Sequence, residues 1–417
     1  MASVPFFLAL AATSAAAQTN ERVYENLDFK FVTPGARPAG MGLTFVGLAD
    51  DTTAAASNPA GTSNLMEPEI SFEFMGADTR HERLIATEPN AYGSFGQRVF
   101  VLPSFVSVAV PRRNLTFSGF ADNEQDYKET FQFNGRCNSP TQCEDGAFGQ
   151  IDALIWNYGG SLAWLAGPRL SIGGSFVLTH LSLEAHGRSG NPGNAKNGTD
   201  TDDGGWAPSG FLGILVKPWR GTSIGAAYYR GATFHLTTHV TGNFTGIADT
   251  VDEYRPLDYV LPSKVSVGGA VRLRDWLTAI GEVARVGYSE RVTRNFLVVD
   301  FMDPHAQLSA ANYSYPNVTE YHAGVEARLS RKGGIIALRA GVFTDPEHHL
   351  YFTPQGSSLT ADTVESFRFD SSPDQTHVGG TAGVGFTFNN QFQLDLAFTA
   401  VTGSRNVIVS VVRRWKR

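Results

Sequence analysis

Apolar side chains stand at every second position through most of this chain, and this period restricts its possible folds more than any other feature. In residues 391–399, QFQLDLAFT, apolar residues occupy the even positions and mostly polar residues lie between them. Residues 153–164, 264–273 and 319–329 repeat the pattern. A period of two is that of a β-strand with one apolar face, whereas a helix repeats every 3.6 residues. The sequence therefore predicts an all-β chain.

The composition excludes several classes of protein. Apolar residues make up 42% of the 417 residues, which excludes general disorder. Charged residues make up 18%, below the roughly 25% of an average soluble domain. The longest apolar run falls short of the about 18 residues that indicate a transmembrane helix. With 33 basic and 40 acidic residues the net charge is −7, so a nucleic-acid partner is not expected.

Short turns and long polar connections alternate along the chain up to its last hairpin. This alternation is typical of a transmembrane β-barrel, whose two rims carry connections of different length. Lipid offers no hydrogen-bond partner to an open strand edge, so such a sheet must close. A soluble all-β protein is the alternative, but its core would contain the charges that stand opposite the apolar faces. We expect an antiparallel barrel of fourteen strands, each within a few residues of 69–77, 99–110, 114–121, 149–166, 170–186, 206–217, 221–242, 259–273, 276–289, 318–330, 335–343, 375–388, 391–401 and 404–415.

The predicted strands also carry residues suited to the two surfaces of a barrel. Aromatic residues near strand ends fit the girdles at a membrane interface; these are Trp206, Trp219, Tyr259, Trp276, Tyr288 and Trp415. Charged residues on the opposite faces are expected to point inward; these are Glu282, Glu320, Glu326, Arg328, Arg339 and Asp395. We expect them to pair with the N-terminal segment or to solvate the interior.

The N-terminus predicts export. Residues 1–17 contain a short apolar stretch that ends in three alanines before Gln18, as a cleaved signal peptide does. Export agrees with the cysteines, because Cys137 and Cys143 lie close together in a polar segment and an oxidising compartment would join them in a disulfide.

Residues 18–66 do not alternate, and we expect them to form a compact plug, or hatch, in front of a barrel of residues 67–417. Residues 49–57 suit a short helix that begins near Asp50 or Asp51. Pro59 ends this helix, because a residue that precedes proline is driven out of the α region.

The hatch resembles that of a known family. Its sequence, GARPAGMGLTFVGLADDTTAAASNPAG, contains the triplet Asn58-Pro59-Ala60 after an alanine-rich helix. This resembles the N-terminal hatch of the FadL-type outer-membrane transporters of long-chain fatty acids and other hydrophobic compounds. Segments of residues 261–284, 317–346 and 376–398 look like late hairpins of the same family. Secretion-associated barrels have a similar N-terminus and are the alternative.

The resemblance implies a 14-stranded transmembrane β-barrel in the bacterial outer membrane that transports its ligand passively. The ligand would be captured among the outer loops, enter an apolar pocket near the hatch and leave sideways at a kinked third strand. Gly119 is the glycine that would bend this strand most easily. Asn58, Pro59 and Ala60 would either gate the hatch or only end its helix. Candidate capture residues are Phe131, Phe133, Leu350, Tyr351 and Phe352, which would otherwise hold the loops together.

No motif indicates an enzyme or a cofactor site. Residues 221–225, GTSIG, match G-x-S-x-G, but they begin a strand, whereas a nucleophile elbow connects a strand to a helix. A lipid hydrolase with Ser223 as its nucleophile is the enzyme alternative. His348 and His349 are adjacent on a loop, where such residues are usually solvated rather than bound to metal. We expect no cofactor, and a monomer in contact with outer-membrane lipid and lipopolysaccharide.

Overall fold

A computed structural model describes most of the chain. The described residues are 31, 33–84, 93–133, 137–139, 142–143, 147–191, 194–242, 251–295, 313–352 and 375–416. The predicted signal peptide of residues 1–17 lies outside them. In the described part, no helix has the length and apolar character needed to cross a membrane.

Fourteen antiparallel strands form one closed barrel, as the alternation predicted. Their bounds are β1 Glu69–Leu84, β2 Gly93–Arg112, β3 Leu115–Phe133, β4 Ala147–Gly167, β5 Leu170–Asn191, β6 Asn194–Val216, β7 Thr222–Arg230 with Thr233–Gly242, β8 Val251–Val260 with Lys264–Arg274, β9 Leu277–Val286, β10 Val318–Arg331, β11 Gly334–Pro346, β12 Thr376–Phe388, β13 Phe392–Val401 and β14 Ser404–Arg414. Each strand pairs with its neighbours in sequence. The barrel closes where β1 pairs with β14, from Glu69 opposite Arg414 to Thr79 opposite Ser404.

Short turns join the strands at the rim where β1 begins. Asn389 and Asn390 both have positive φ, 47° and 55°, between β12 and β13. A two-residue type I′ hairpin turn requires positive φ at both positions, and asparagine tolerates it better than most residues. The position of this short turn therefore has a local chemical cause.

Strands β7 and β8 are each interrupted, at residues 231–232 and 261–263. The first part of β7 pairs with β6 and with the second part of β8. The second part of β7 and the first part of β8 form a hairpin whose apolar side faces the interior of the barrel.

The two faces of the strands differ as the sequence predicts. In β13, Phe398 is 45% exposed while Asp395, on the opposite face of the same strand, is 1% exposed. Similar exposed apolar side chains occur on the described strands all round the barrel. Such a belt is far larger than the apolar patches of a soluble monomer, which reach a few hundred Å².

Four of the six predicted girdle aromatics face outward and two do not. Trp206, Trp219, Trp276 and Trp415 are exposed or partly exposed. The prediction is wrong for Tyr259 and Tyr288, which are fully buried in the interior. Tyr259 lies beside the interruption in β8, and Tyr288 begins the short 3-10 helix Tyr288–Arg291. The two-residue period of the sequence does not continue through these places, so it did not predict that both side chains point inward.

The outward face becomes polar beyond the level of Trp206. Trp206 stands opposite His180 of β5. Past this point β5 presents Ser182, Glu184 and His186 on the face that carries Phe176 and Leu178 nearer the short turns. These outer ends of the strands therefore extend beyond the apolar belt.

Residues 33–66, here called the N-terminal segment, lie inside the barrel. The helix Ala36–Ala39 contacts β12, β13 and β14, and the 3-10 helix Pro59–Asn64 contacts β4, β5 and β6. The 3-10 helix Thr52–Ala56 packs on β1, β2 and β3, and the Asp51 side chain caps it by accepting a hydrogen bond from Thr53 N at 3.0 Å. Contacts on opposite sides of the wall place the segment across the lumen.

Candidate functional site

Three glutamates of the barrel wall accept hydrogen bonds from backbone N–H groups of the N-terminal segment. Glu73 accepts from Gly35 N at 2.6 Å, and Glu69 accepts from Thr52 N at 2.8 Å. Glu282 accepts from Phe45 N at 3.0 Å and Val46 N at 3.1 Å, both through Oε2. These N–H groups have no partner in regular secondary structure, so the wall supplies one to each. Glu282, which was expected to face inward and either pair with the segment or solvate the interior, contacts the segment through these backbone hydrogen bonds.

A buried ion-pair chain joins the segment to three further strands. Arg37 contacts Glu326 of β10 at 2.9 Å, and Arg339 of β11 contacts the same carboxylate at 2.8 Å. Arg339 also pairs with Asp395 of β13 at 2.7 Å. Each carboxylate and guanidinium is therefore matched, which is the condition for keeping charges buried. Arg328, by contrast, is exposed near the short-turn rim.

Asn58 connects the segment to itself and to the wall. Its Nδ2 atom donates to Val46 O at 2.9 Å and to Ile214 O of β6 at 3.2 Å. Pro59 begins the second 3-10 helix, and Ala60 is fully buried. These contacts agree with the expected end of the first helix, while a gating role for the triplet stays a prediction.

The wall has glycines at several positions where the segment lies against it. A Cβ on Gly341 would overlap the amide of Gly42, and one on Gly324 would overlap Met41 O. Wall glycines in such contact with the segment are Gly173, Gly213, Gly225, Gly268, Gly324, Gly341 and Gly383. The segment backbone thus approaches the wall closely at glycines of six strands, and at Gly213 of β6 the wall meets the side chains of Asn58 and Pro59.

The interior beyond the segment, toward the long connections, contains a large apolar cluster. Inward residues of β3 to β6 pack there against the hairpin of β7 and β8. Leu350 and Phe352 belong to this cluster and are buried, and Tyr351 beside them is also buried. Three of the predicted capture residues therefore line or adjoin the interior, in a strand pair of Tyr351–Phe352 with Tyr313–Ser314. Their role in capture stays a prediction.

A cavity of about 60 Å³ lies between the segment and the wall. The segment contributes Phe45 and Ser57, among others, and Phe31 lies just before it. The wall contributes apolar, aromatic and charged side chains. The wall residues are Asp122, Glu124, Phe211, Ala227, Tyr229, Lys264, Ser266 and Glu282.

The ladder between β2 and β3 ends beside this cavity. The two strands pair from Arg112 opposite Leu115 to Phe105 opposite Asp122, and the described pairing goes no further. Pro103 of β2 lies just beyond and has no N–H to donate, as is typical of an unpaired strand edge.

Two bulges accompany the end of this ladder. In β2 the register with β1 skips Ser104, whose hydroxyl donates to Glu73 at 2.7 Å. In β3 the register with β4 skips Glu124. Gly119, the predicted kink, lies in regular register between Val108 and Gly160, so the described irregularity is further along the strand.

The bulge in β3 left a signal in the sequence that the period analysis missed. Residues 122–125, DNEQ, are four consecutive polar residues, and all four are buried. Two adjacent residues of a regular strand face opposite ways, so such a run implies an inserted residue.

Four other predicted site residues belong to the outer part of β3 and the connection that follows it. Phe131 and Phe133 are part of β3, and their side chains lie outside the described parts. Cys137 and Cys143 stand opposite each other in a short antiparallel pair. Opposed positions in such a pair have the spacing that a disulfide needs. The disulfide stays a prediction.

The residues of the enzyme alternative have structural partners. Ser223 donates to Gly47 O at 2.6 Å and lies in β7, so its strand does not lead into a helix. The His348 ring stacks on Tyr288 with 4.3 Å between ring centroids. Among the described residues no group of three or more His, Cys, Asp or Glu side chains is placed to hold a metal ion.

Comparison with solved structures shows which known barrels share this fold. A Pseudomonas aeruginosa FadL homologue matches with a TM-score of 0.63 and 13% identity, over 92% of this chain and 98% of that one. The Ralstonia pickettii toluene transporter TbuX matches with a TM-score of 0.60 and 15% identity, over 92% and 98%. The Pseudomonas putida toluene transporter TodX matches with a TM-score of 0.57 and 14% identity, over 93% and 99%.

The sequence itself gives no such match. No protein-family model and no curated protein matches it. The structural comparison confirms the FadL-type fold that the hatch motif and the strand count predicted.

Proposed function

We propose that this chain, which has the fold of the FadL-type channels, carries hydrophobic small molecules passively across the bacterial outer membrane. The observation that carries the proposal is a closed barrel with an apolar belt outside and the N-terminal segment across its lumen. The toluene transporters TbuX and TodX, which share the fold, support this choice of ligand class. The chain would be exported by a signal peptide of residues 1–17 and would act as a monomer.

The route begins in the apolar interior that contains Leu350 and Phe352. A hydrophobic ligand gains free energy on leaving water for such a surface, at about 25 cal/mol per Å² of apolar area. It then enters the cavity beside the N-terminal segment. Exit follows sideways along β3, where the ladder with β2 ends at Asp122 and the bulge at Glu124 bends the strand. The bend of β3 is thus proposed at this bulge rather than at Gly119.

Movement of the segment is required by the size of the cavity. About 60 Å³ is well below the roughly 150 Å³ of an engineered cavity that binds benzene. Strands contribute half of the residues that line the cavity, whereas Phe31 and Thr33 belong to no regular element. Two residues of the segment, Leu43 and Ala49, have positive φ, 62° and 38°, a strained state that is often found in parts that move.

A reversible lock tests this proposal. The side-chain oxygens of Thr52 in the segment and Ser107 in β2 lie 3.1 Å apart, so a cysteine at each position would form a disulfide. In cells with the Thr52→Cys, Ser107→Cys variant, uptake of labelled toluene and of a labelled fatty acid should fall to the level of cells without the protein. Reductant should restore it, and the Thr52→Ala, Ser107→Ala variant should transport throughout. Undiminished uptake by the oxidised variant would refute a moving segment, and uptake independent of the protein would refute transport.

A further inference from the structure

The cavity beside the N-terminal segment is acidic. Three of its lining residues are carboxylates, Asp122, Glu124 and Glu282, while Lys264 is its one basic lining residue among those described. Lys264 already has partners, since its Nζ lies 3.7 Å from Glu320 Oε2 and 4.9 Å from the centroid of the Phe31 ring. Arg37 of the segment and Arg339 of the wall do not line this cavity and are bound in the chain of ion pairs.

An anionic ligand would therefore lie beside three carboxyl groups, and the one basic lining residue among those described already pairs with Glu320. Like charges repel more strongly in a low-dielectric interior than in water, and a buried carboxylate needs a cation or several donors. Glu282 is already occupied by the N–H groups of Phe45 and Val46. Among the described lining residues no unpaired cation is left to neutralise the carboxylate of a ligand.

Three lining residues have a buried polar atom without a partner among the described residues, namely Ser57 Oγ, Tyr229 Oη and Glu124 Oε1, and only the last belongs to a carboxylate. Glu124 is 4% exposed, and its Oε2 accepts from Asn157 Nδ2 at 2.7 Å. Its Oε1 is buried and has no partner among the described residues. The side chain faces inward because the bulge in β3 inserts this residue between Asn123 and Gln125. A buried acceptor without a donor costs free energy that a ligand can recover.

We propose that the cavity selects uncharged hydrophobic ligands that carry a hydroxyl or amino donor, and that Glu124 Oε1 accepts the hydrogen bond from that donor. The ligand class includes alkylphenols and aromatic amines, and it excludes fatty acids and aromatic carboxylates. Phe211 and Tyr229, whose ring centroids are 4.7 Å apart, supply the aromatic side of the same cavity. This inference rests on the proposed transport function and specifies its substrate.

Three ligands with one carbon skeleton test the inference, namely p-cresol, toluene and p-toluate. A phenol has a pKa of about 10, so cresol is uncharged at pH 7, whereas toluate is an anion. Binding to the purified full-length barrel and uptake by cells are both measured. Because a hydrogen bond to a charged acceptor is worth about 1.5 kcal/mol or more, cresol should bind at least roughly tenfold more tightly than toluene. Toluate should not bind.

Two substitutions at one position separate charge from hydrogen bonding. Glu124→Gln keeps an acceptor and should keep the preference for cresol while it weakens the exclusion of toluate. Glu124→Leu removes the acceptor and should make cresol and toluene equal. The heat-modifiable mobility of each barrel on a gel reports that it has folded, and a folded Leu variant that retains the preference overturns the inference.

The remaining outcomes distinguish this inference from the transport proposal. Protein-dependent uptake of toluene, with cresol no better or toluate equally good, overturns the inference and leaves transport intact. Uptake of all three ligands that equals that of cells without the protein overturns both.

Discussion

The carboxylate of Glu282 holds the centre of the N-terminal segment. Its removal should increase local opening of the segment around Phe45 and Val46 and leave the rest of the barrel unchanged. Its Oε2 accepts from Phe45 N and Val46 N, and Thr44 Oγ1 lies 3.3 Å away. In Glu282→Ala the two amides stay buried without an acceptor. An unsatisfied buried amide costs about 1–3 kcal/mol, so two that share one acceptor oxygen cost about 3 kcal/mol together. This raises the open fraction of the segment roughly a hundredfold.

Hydrogen exchange of the purified barrel measures that fraction, because protection reports the free energy of local opening. Protection of the Phe45 and Val46 amides should fall roughly a hundredfold in Glu282→Ala, and less in Glu282→Gln, which keeps an acceptor. Asp258→Ala is the matched control, since this buried carboxylate accepts from Thr293 and Asn295 away from the segment. Unchanged protection of the two amides in Glu282→Ala would refute the argument, as would an equal loss in the control.

Two further predictions concern the wall and its outer end. Gly341→Val should displace the segment, because the new side chain would overlap the Gly42 amide. The displaced segment should leave the lumen more open and raise ion conductance in planar bilayers. Gly380→Val is the control and should leave conductance unchanged, because a Cβ at Gly380 meets nothing within 4 Å. The hydrogen bond with Asp200 at 2.8 Å raises the pKa of His186 above its ordinary value, although burial opposes it. The resulting stabilisation should be fully present below about pH 6.5 and be lost as the pH rises through the raised pKa. An NMR titration showing an ordinary His186 pKa, or one unchanged in Asp200→Asn, would contradict this.

The fold could be predicted because each strand of a barrel in lipid has apolar residues on its outer face and polar or small residues on its inner face, and the two alternate in the sequence. Phe398 and Asp395 of β13 face opposite ways, as the two-residue period requires. The turn at Asn389 and Asn390 follows from the backbone preference of asparagine. These signals are local in the sequence, so a count of strands follows from them without any knowledge of contacts.

The candidate site could be predicted only in part, because it depends on distant residues. Glu282 and Phe45 meet across more than two hundred residues of chain, and nothing near either one indicates the partner. Tyr259 and Tyr288 were assigned to the wrong face because the period fails where strands are interrupted. The polar run that begins at Asp122 did mark the bulge. It stands out only when the segment is already expected to be a strand in which polar and apolar residues alternate.

The glycine-lined fit between wall and segment has a consequence for assembly of the molecule. The segment directly precedes β1, and β1 makes the seam with the last strand, β14. The segment backbone contacts the wall backbone on both sides of the lumen, so a closed barrel leaves no space for the folded N-terminal segment to enter afterwards. Pairing of β1 with β14 is therefore the step that encloses the N-terminal segment. Synthesis from the N-terminus produces the segment before β14, the strand that closes the barrel around it.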